Sequence, residues 1–305
     1  MELRQLNSLV VLAESGFKVT EAADLLCLVQ SAVSQHLAKL EQELGTQLFM
    51  RKGKRLVCLT TAGETVLKYA RQALAIRENI LAVGRDHREE VSGLLRIGTT
   101  HTQARYVLPP VIRAFRQIYP SVSMQIQQGT PQQLVEMAMT DQVDFSICTE
   151  ELGVHSGLTA ISCYRWNRSL IAMKGHPALK RRPLSLNSIC DYPLITYTFG
   201  ITGSGRLQST FARAGFKPEV VLTAVDTDVI KTYVREGLGI GLIASMAYAP
   251  RQDQDLAIRD LSHLLPWETT WVGYHKDKYL RRFQQCFIDL LESMVMENGV
   301  VKASE

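Results

Sequence analysis

Residues 61–90, "TAGETVLKYARQALAIRENILAVGRDHREE", carry one unbroken helical pattern. Val66, Leu67, Ala70, Ala73, Leu74, Ile80 and Leu81 form a broad apolar stripe with charged residues between them. A helix of this length between two other segments has no core of its own, so the stripe must bury against a second copy of the chain or against a neighbouring domain. Either outcome divides the molecule. The chain has 305 residues, which already exceeds the size at which single hydrophobic cores tend to split.

Before the long helix, residues 1–60 read as short helices. Leu6, Leu9, Val10 and Ala13 recur at helical spacing until Ser15-Gly16-Phe17 breaks the pattern. Thr20 is a suitable N-cap for "EAADLL". After the turn "CLVQ", the run "SAVSQHLAKLEQELG" places Val33, Leu37, Leu40 and Leu44 on one stripe, with Gly45 as the stop. Two short helices joined by a tight turn describe a helix-turn-helix. With the apolar stripe inward, Gln30, Ser31, Ser34, Gln35 and Lys39 face outward. Amides and hydroxyls near a helix N-terminus are the groups that read base edges and hold phosphates, although any surface helix has a solvated face.

The next segment separates those readings. "FMRKGKRLVCLT" sets Arg51, Lys52, Lys54 and Arg55 around Gly53, between two apolar runs. That is a basic hairpin tip, a wing suited to phosphate or minor-groove contact. Over residues 1–60 Lys plus Arg is 7 and Asp plus Glu is 6, so the positive charge is local to the wing.

From Ser92 the pattern changes to alternating strand and helix. "LLRIG", "SVSMQIQQ", "DFSIC", "SLIAM", "PLITY" and "EVVLTA" favour strands, with "LPPVIRAFRQIY" and "TPQQLVEMAMT" helical between them. An α/β region of this size often holds two lobes with a cleft between them. At the end of its first strand lies "RIGTTHTQARY", a dense set of neutral hydrogen-bonding groups without an acid. Ligands bind at strand C-termini in α/β sheets, and a helix expected just after the stretch adds free backbone N–H groups. "SICTEE" ends another strand with Thr149, and "TYTFGITGSG" offers Thr198, Thr202 and Ser204 among glycines. Such donors suit a small anion such as sulfate, held without a counter-charge. The same groups also serve as caps and turns. Arg105 is either a further anion partner or a solvent-facing cation.

Composition removes several classes. Six cysteines, Cys27, Cys58, Cys148, Cys163, Cys190 and Cys286, form no Cys-x-x-Cys pair, so neither zinc spacing nor a disulfide framework is expected; buried free thiols are. No Gly-x-Ser-x-Gly, metal spacing or lysine-bearing phosphate loop supports an enzyme, and no cofactor motif is present. The start "MELRQLNSLVVLAES" lacks the basic residues and long apolar core of a signal peptide, and no run has membrane-spanning length. A cytoplasmic protein is expected, which also disfavours an exported solute-binding protein. The net charge of +4 permits a nucleic-acid partner without arguing for one.

The N-terminal residues resemble the winged helix-turn-helix of LysR-type transcriptional regulators. Ala22-Ala23, Ser31-Ala32-Val33-Ser34, Leu40-Glu41, Leu44-Gly45, Leu48-Phe49-Met50-Arg51 and Leu59-Thr60-Thr61-Ala62-Gly63 carry that likeness. "TTHTQARY", "QGTPQQ", "CYRWNRSL", "YPLITYTFGITG" and "TDVIKTYVREGLGIGLIASMA" are similar to the CysB/Cbl subgroup, whose members govern cysteine biosynthesis and sulfur assimilation. The resemblance implies an α+β multi-domain protein: a winged helix-turn-helix over 1–60, a linker and dimerisation helix over 61–90, and a two-lobed, periplasmic-binding-protein-like effector domain over 91–295. Lobe I would take 91–163 and 267–295, lobe II 164–266, and a loose tail would follow at 296–305. It further implies a homotetramer that binds promoter DNA, works with RNA polymerase and activates its genes. The effector would be N-acetylserine, O-acetylserine, sulfate or thiosulfate, or an adenylylated sulfate in a Cbl-like regulator of sulfonate and taurine utilisation. The subgroup's anion-binding positions correspond to Thr100, Thr102, Gln103, Thr149 and Thr202, and lobe closure would then reposition the linker helices and DNA heads.

One position departs from the pattern. The subgroup usually has Ser or Thr just before the glutamine that opens the recognition helix, and here Val29 stands there. The missing N-cap hydroxyl is expected to cost about 1 kcal/mol locally and to remove a phosphate contact. "TYTFG" leans towards the CysB-like branch, while the wing decides nothing between the two.

Overall fold

A computed structural model describes residues 1–53, 55–88, 92–149, 152, 155–198, 204–295 and 301–302. Its contacts separate two units, Met1–Glu89 with Asp277–Tyr279, and Glu90–Lys276 with Leu280–Glu305.

The first unit contains α1 (Leu3–Glu14), α2 (Val19–Leu25), α3 (Gln30–Leu44), a hairpin of β1 (Phe49–Lys52) and β2 (Arg55–Leu59), and α4 (Thr61–His87). The α2 helix starts earlier than a Thr20 cap would place it, with Lys18 at the N-cap. The preceding turn has φ of 62° at Gly16 and 63° at Phe17, and it delivers the chain in helical register already at Val19. Gly45 ends α3 at φ 64° in the left-handed region, as its sequence position requires. Leu9, Leu12, Val33, Leu40 and Leu48 are fully buried in a common core, whereas Leu44 stays 40% exposed. The wing hairpin is antiparallel, pairing Phe49 with Leu59 and Lys52 with Arg55.

The stripe of α4 divides along its length. Val66, Leu67, Ala70, Ala73 and Leu74 pack against the winged-helix core, while Ile80 and Leu81 remain exposed together with Tyr69, Ile76 and Val83. Thr60 caps the helix by accepting from the Gly63 amide at 3.0 Å. Gly63 itself passes so close to the wing that a Cβ there would stand 2.1 Å from the Leu48 carbonyl oxygen.

The second unit begins with β3 (Gly93–Thr99), α5 (Leu108–Ile118), β4 (Val122–Gln128), α6 (Pro131–Met139), β5 (Phe145–Thr149) and β6 (Leu158–Trp166). It continues through β7 (Arg168–Met173), α7 (Leu186–Cys190), β8 (Leu194–Tyr197), α8 (Ser204–Arg213), β9 (Val220–Ala224), α9 (Thr227–Arg235), β10 (Ile240–Ala244) and β11 (Leu256–Asp260). The last elements are β12 (Glu268–His275), α10 (Arg282–Val295) and β13 (Val301–Lys302). They build a six-stranded sheet in the order β13-β6-β12-β5-β3-β4 and a five-stranded sheet in the order β11-β7-β10-β8-β9. In the first sheet β3 runs parallel to β4 and β5; in the second, β8 runs parallel to β9 and β10. The chain crosses between the sheets twice, at Asn167 and between Asp260 and Glu268. Because β6 continues to Trp166, Tyr164 and Trp166 belong to the first sheet and not to lobe II.

Each sheet has its own core. Phe115, Phe145 and Phe287 stack between α5, α10 and the first sheet, with ring centroids 5.3 Å and 5.6 Å apart. Leu170, Leu194 and Leu242 anchor the second. The described part of the tail is not loose: Val301 and Lys302 pair with Arg165 and Tyr164 at the edge of the first sheet. All six cysteines are free, but only Cys148 and Cys163 are buried, and Cys27 is exposed in the turn before α3. Among the described residues no helix is long and apolar enough to cross a membrane.

Candidate DNA-reading surface and effector site

The α3 helix buries Val33, Leu37 and Leu40 and turns Gln30, Ser31, Ser34, Gln35 and Lys39 to solvent. None of these polar side chains hydrogen-bonds another residue among those described, so their donors and acceptors stay available. Val29 is the N-cap, 68% exposed and without a side-chain cap bond. On the wing, Arg51, Lys52 and Arg55 are exposed, and Lys54 lies outside the described residues. Arg51 differs from its neighbours because Glu41 holds its guanidinium at 2.7 Å. The same carboxylate accepts from the Leu48 amide at 2.8 Å, so Glu41 fixes the wing root and Arg51 together. Among the described wing cations, Lys52 and Arg55 have no such carboxylate partner.

In the second unit the neutral hydroxyls converge. Thr100 follows β3, and helical backbone begins at His101, inside the polar stretch rather than after it. Gln103–Val107 then form a π-helical turn that runs into α5. Such turns are rare and frequent at functional sites. Thr100, Thr102, Gln103 and Thr149 are all buried. Thr202 lies outside the described residues, Thr198 is partly buried at the end of β8, and α8 opens at Ser204.

Gln103 and Thr149 meet partners from the first sheet, and Thr102 meets one beside the second. Thr102 Oγ1 lies 3.4 Å from Thr227 Oγ1 on α9, and Gln103 Nε2 donates to Thr270 Oγ1 at 3.3 Å. Tyr164 donates to Gln103 Oε1, and the Trp166 indole donates to Thr149 Oγ1 at 3.2 Å. Tyr197 OH pairs with Thr227 Oγ1 at 2.6 Å and accepts from the Ala244 amide at 3.1 Å. Sequence reasoning missed Tyr164, Trp166, Tyr197, Thr227 and Thr270. Tyr164, Trp166 and Thr270 lie in strands next to the crossings, Tyr197 ends β8 and Thr227 opens α9, positions that no local pattern marks.

Charges surround the cluster without entering it. Arg105 pairs with Asp228 at 2.6 Å and is therefore committed to a carboxylate. Tyr106 donates to the same carboxylate at 2.6 Å and accepts from Lys231 at 3.1 Å, while Lys231 pairs with Asp253 at 2.6 Å. Burial, and then the bond to Asp228, push the Tyr106 phenol well above its ordinary value. His101, Asp226 and Asp228 bring ligand atoms within 4.8 Å of one another, but Arg105 already supplies the cation there. At the crossings, Arg168 and Glu268 form a fully buried ion pair at 2.8 Å, with the Arg168 guanidinium 5.3 Å from the Trp166 ring centroid. Glu268 thus balances the buried guanidinium that stands beside Trp166. Asn167 ties the same crossing together by donating to Asp260 at 2.6 Å and accepting from Ser245 at 2.8 Å.

Comparison with known proteins places these features. Residues 3–64 match the model of the bacterial regulatory helix-turn-helix protein, lysR family, and residues 88–295 match that of the LysR substrate binding domain. The chain is 41% identical to the HTH-type transcriptional regulator SsuR of Burkholderia cenocepacia over 290 residues, 95% of this chain and 94% of that protein. It is 40% identical to the HTH-type transcriptional regulator CysB of Haemophilus influenzae over 303 residues, 99% of this chain and 94% of that protein. Among solved structures, the cofactor-binding domain of the Cbl transcriptional regulator superposes with a TM-score of 0.63 at 40% identity, covering 70% of this chain and 95% of that one. These relatives are regulators, not enzymes.

Proposed function

This chain belongs to the LysR family of DNA-binding transcriptional regulators, and we propose that it is a sulfur-responsive activator whose effector is a small anion or an acetylated serine. Residues 1–60 read promoter DNA through Gln30, Ser31, Ser34, Gln35 and Lys39, with Arg51, Lys52, Lys54 and Arg55 on the flanking phosphates. Residues 61–90 join copies through the exposed apolar residues of α4, giving a twofold reader of two half-sites and, by a second pairing, a tetramer. Residues 91–295 bind sulfate, thiosulfate, N-acetylserine or O-acetylserine at Thr100, Thr102, Gln103, Thr149 and Thr202. The protein acts in the cytoplasm, where promoter DNA and RNA polymerase are.

The observation that carries this reading is the cluster of Thr100, Thr102, Gln103 and Thr149. These are neutral donors buried at the ends of two strands, beside a helix start, and joined to the second sheet through Thr227. Bringing the sheets together over an anion gives lobe closure a differential affinity to act on. The Cbl-like alternative, a regulator of sulfonate use answering to adenylylated sulfate, draws support from the 40% identity to the Cbl cofactor-binding domain. Calorimetric titration of the full chain with each of the four small molecules, repeated with Thr102→Ala, tests the reading. Micromolar-to-millimolar binding of one of them, weakened in the variant, is expected. Heat-silent titrations of a folded protein would remove the sulfur effector and leave only the DNA-binding regulator.

A further inference from the structure

Thr102, Gln103 and Thr149 share an arrangement that their identity alone does not reveal: the oxygen of each is already in hydrogen-bond contact with a buried side chain. An indole N–H can only donate, so the Trp166 bond to Thr149 Oγ1 has one direction. It takes one of that oxygen's two acceptor positions and turns the threonine proton away from the indole, where a ligand can meet it. Tyr164 donates to Gln103 Oε1, which turns Nε2 towards Thr270 at 3.3 Å with one N–H to spare. The third case is a chain. Ala244 N–H donates to Tyr197 OH, and that hydroxyl pairs with Thr227 Oγ1 at 2.6 Å, with the phenol as the proposed donor of this bond. Thr227 in turn stands 3.4 Å from Thr102 Oγ1, so a chain that starts at the phenol ends on the Thr102 proton as its terminal donor. Tyr164, Trp166 and Tyr197 are at most 2% exposed, so water does not substitute for them. Burial raises both phenols above their ordinary value, which keeps them protonated donors at neutral pH.

We propose that Tyr164, Trp166 and Tyr197 are positioning residues that commit the effector site to donating hydrogen bonds, so that it accepts fully ionised oxyanions of the sulfate type and rejects oxyanions that carry a proton, such as inorganic phosphate. The inference rests on the anion-sensor reading above and adds the discrimination. Phosphate near neutral pH retains at least one O–H, and a donor-committed site leaves that hydroxyl buried without an acceptor, a loss of about tenfold to a hundredfold in affinity. Sulfate has no such proton. Among the described members only Thr100 lacks a donor of this kind, which keeps the discrimination finite.

The test is calorimetric titration of the full chain with sodium sulfate and with sodium phosphate, for the wild type, Tyr164→Phe and Trp166→Phe. The wild type is expected to prefer sulfate by about tenfold or more. Each variant frees an acceptor, Gln103 Oε1 or Thr149 Oγ1, so sulfate weakens while phosphate holds or strengthens and the ratio contracts by about fivefold or more. Variants that weaken both anions equally would reduce the aromatic residues to structural support and overturn the proposal. A wild type that takes phosphate as well as sulfate would also overturn it. Should the variants not fold, the wild type alone decides: phosphate affinity must rise from about pH 6 to about pH 8 as the anion sheds a proton, with sulfate unchanged. A flat phosphate profile would contradict the proposal. Silence with every oxyanion would overturn the sensor reading and this inference with it.

Discussion

The recognition helix and the effector cluster use similar side chains, hydroxyls and amides, in opposite ways. On α3 they are exposed and carry no intramolecular hydrogen bond among the described residues, while the supporting work falls to Leu37 and Leu40 beneath them. In the second unit, Thr102, Gln103 and Thr149 are buried, and each is tied to a further buried group. On the proposed function, the difference follows from what each must meet. DNA arrives as a large hydrated surface whose base edges present both donors and acceptors, so uncommitted groups are useful. A small anion must be stripped of water, which rewards groups whose direction is fixed beforehand. Removal of a side chain should therefore act locally on α3 and propagate in the effector cluster.

The sharpest way to break that contrast is at the crossings. Glu268→Ala takes the carboxylate away from the buried Arg168 guanidinium and is expected to cost about 3–5 kcal/mol of stability, read by urea unfolding of the full chain. Replacing both partners, Arg168→Met with Glu268→Leu, should recover most of that loss. In the first unit the corresponding structural lesion is Gly63→Ala, which drives a Cβ into the Leu48 carbonyl. A loss of roughly 3 kcal/mol is expected, confined to the winged-helix transition. Gln35→Ala should weaken promoter binding by about 1–3 kcal/mol and leave the melting temperature unchanged, as measured by fluorescence anisotropy and calorimetry. If stability fell as well, α3 would not be the free reading face described here. Thr102→Ala should weaken effector binding by about 1 kcal/mol while basal DNA affinity stays the same. The smallest effect sharpens the comparison at the start of α3: Val29→Thr supplies the absent cap and should add up to about 1 kcal/mol to the first unit.

The same contrast explains what was legible in the sequence. The recognition helix and wing were readable because exposure and burial alternate at helical spacing from Gln30 to Gly45, and because the cations cluster around Gly53. Strands β3, β4, β5, β7, β8 and β9 were legible as short β-favouring runs between helical segments. The strands β6, β10, β11 and β12 were not. The β6 run "LTAISCYRW" mixes aromatic, charged and small residues because one end faces a core and the other a crossing. The β10 run follows the glycines Gly237 and Gly239, which read locally as a turn. At the proposed effector site, strand ends and polar density pointed to the stretches that hold Thr100, Thr102, Gln103 and Thr149, and the resemblance singled out those residues. Trp166, Tyr197 and Thr227 were not, because their contribution depends on tertiary contact across as much as 125 residues of sequence. The tail shows the same limit: nothing in "MENGVVKASE" marks Val301 and Lys302 as an edge strand.

The most direct measurement is the affinity of the full chain for a fluorescent duplex carrying a sulfur-assimilation promoter of the same genome, against a scrambled duplex at fixed salt. It is made with and without sulfate and N-acetylserine, for the wild type and Thr102→Ala. Preference for the promoter duplex is expected, together with a shift of about fivefold or more when effector is added, and in Thr102→Ala that shift should need about fivefold more effector. Promoter binding that ignores every effector in the wild type would contradict the coupling of the buried hydroxyl cluster to the DNA-reading helices.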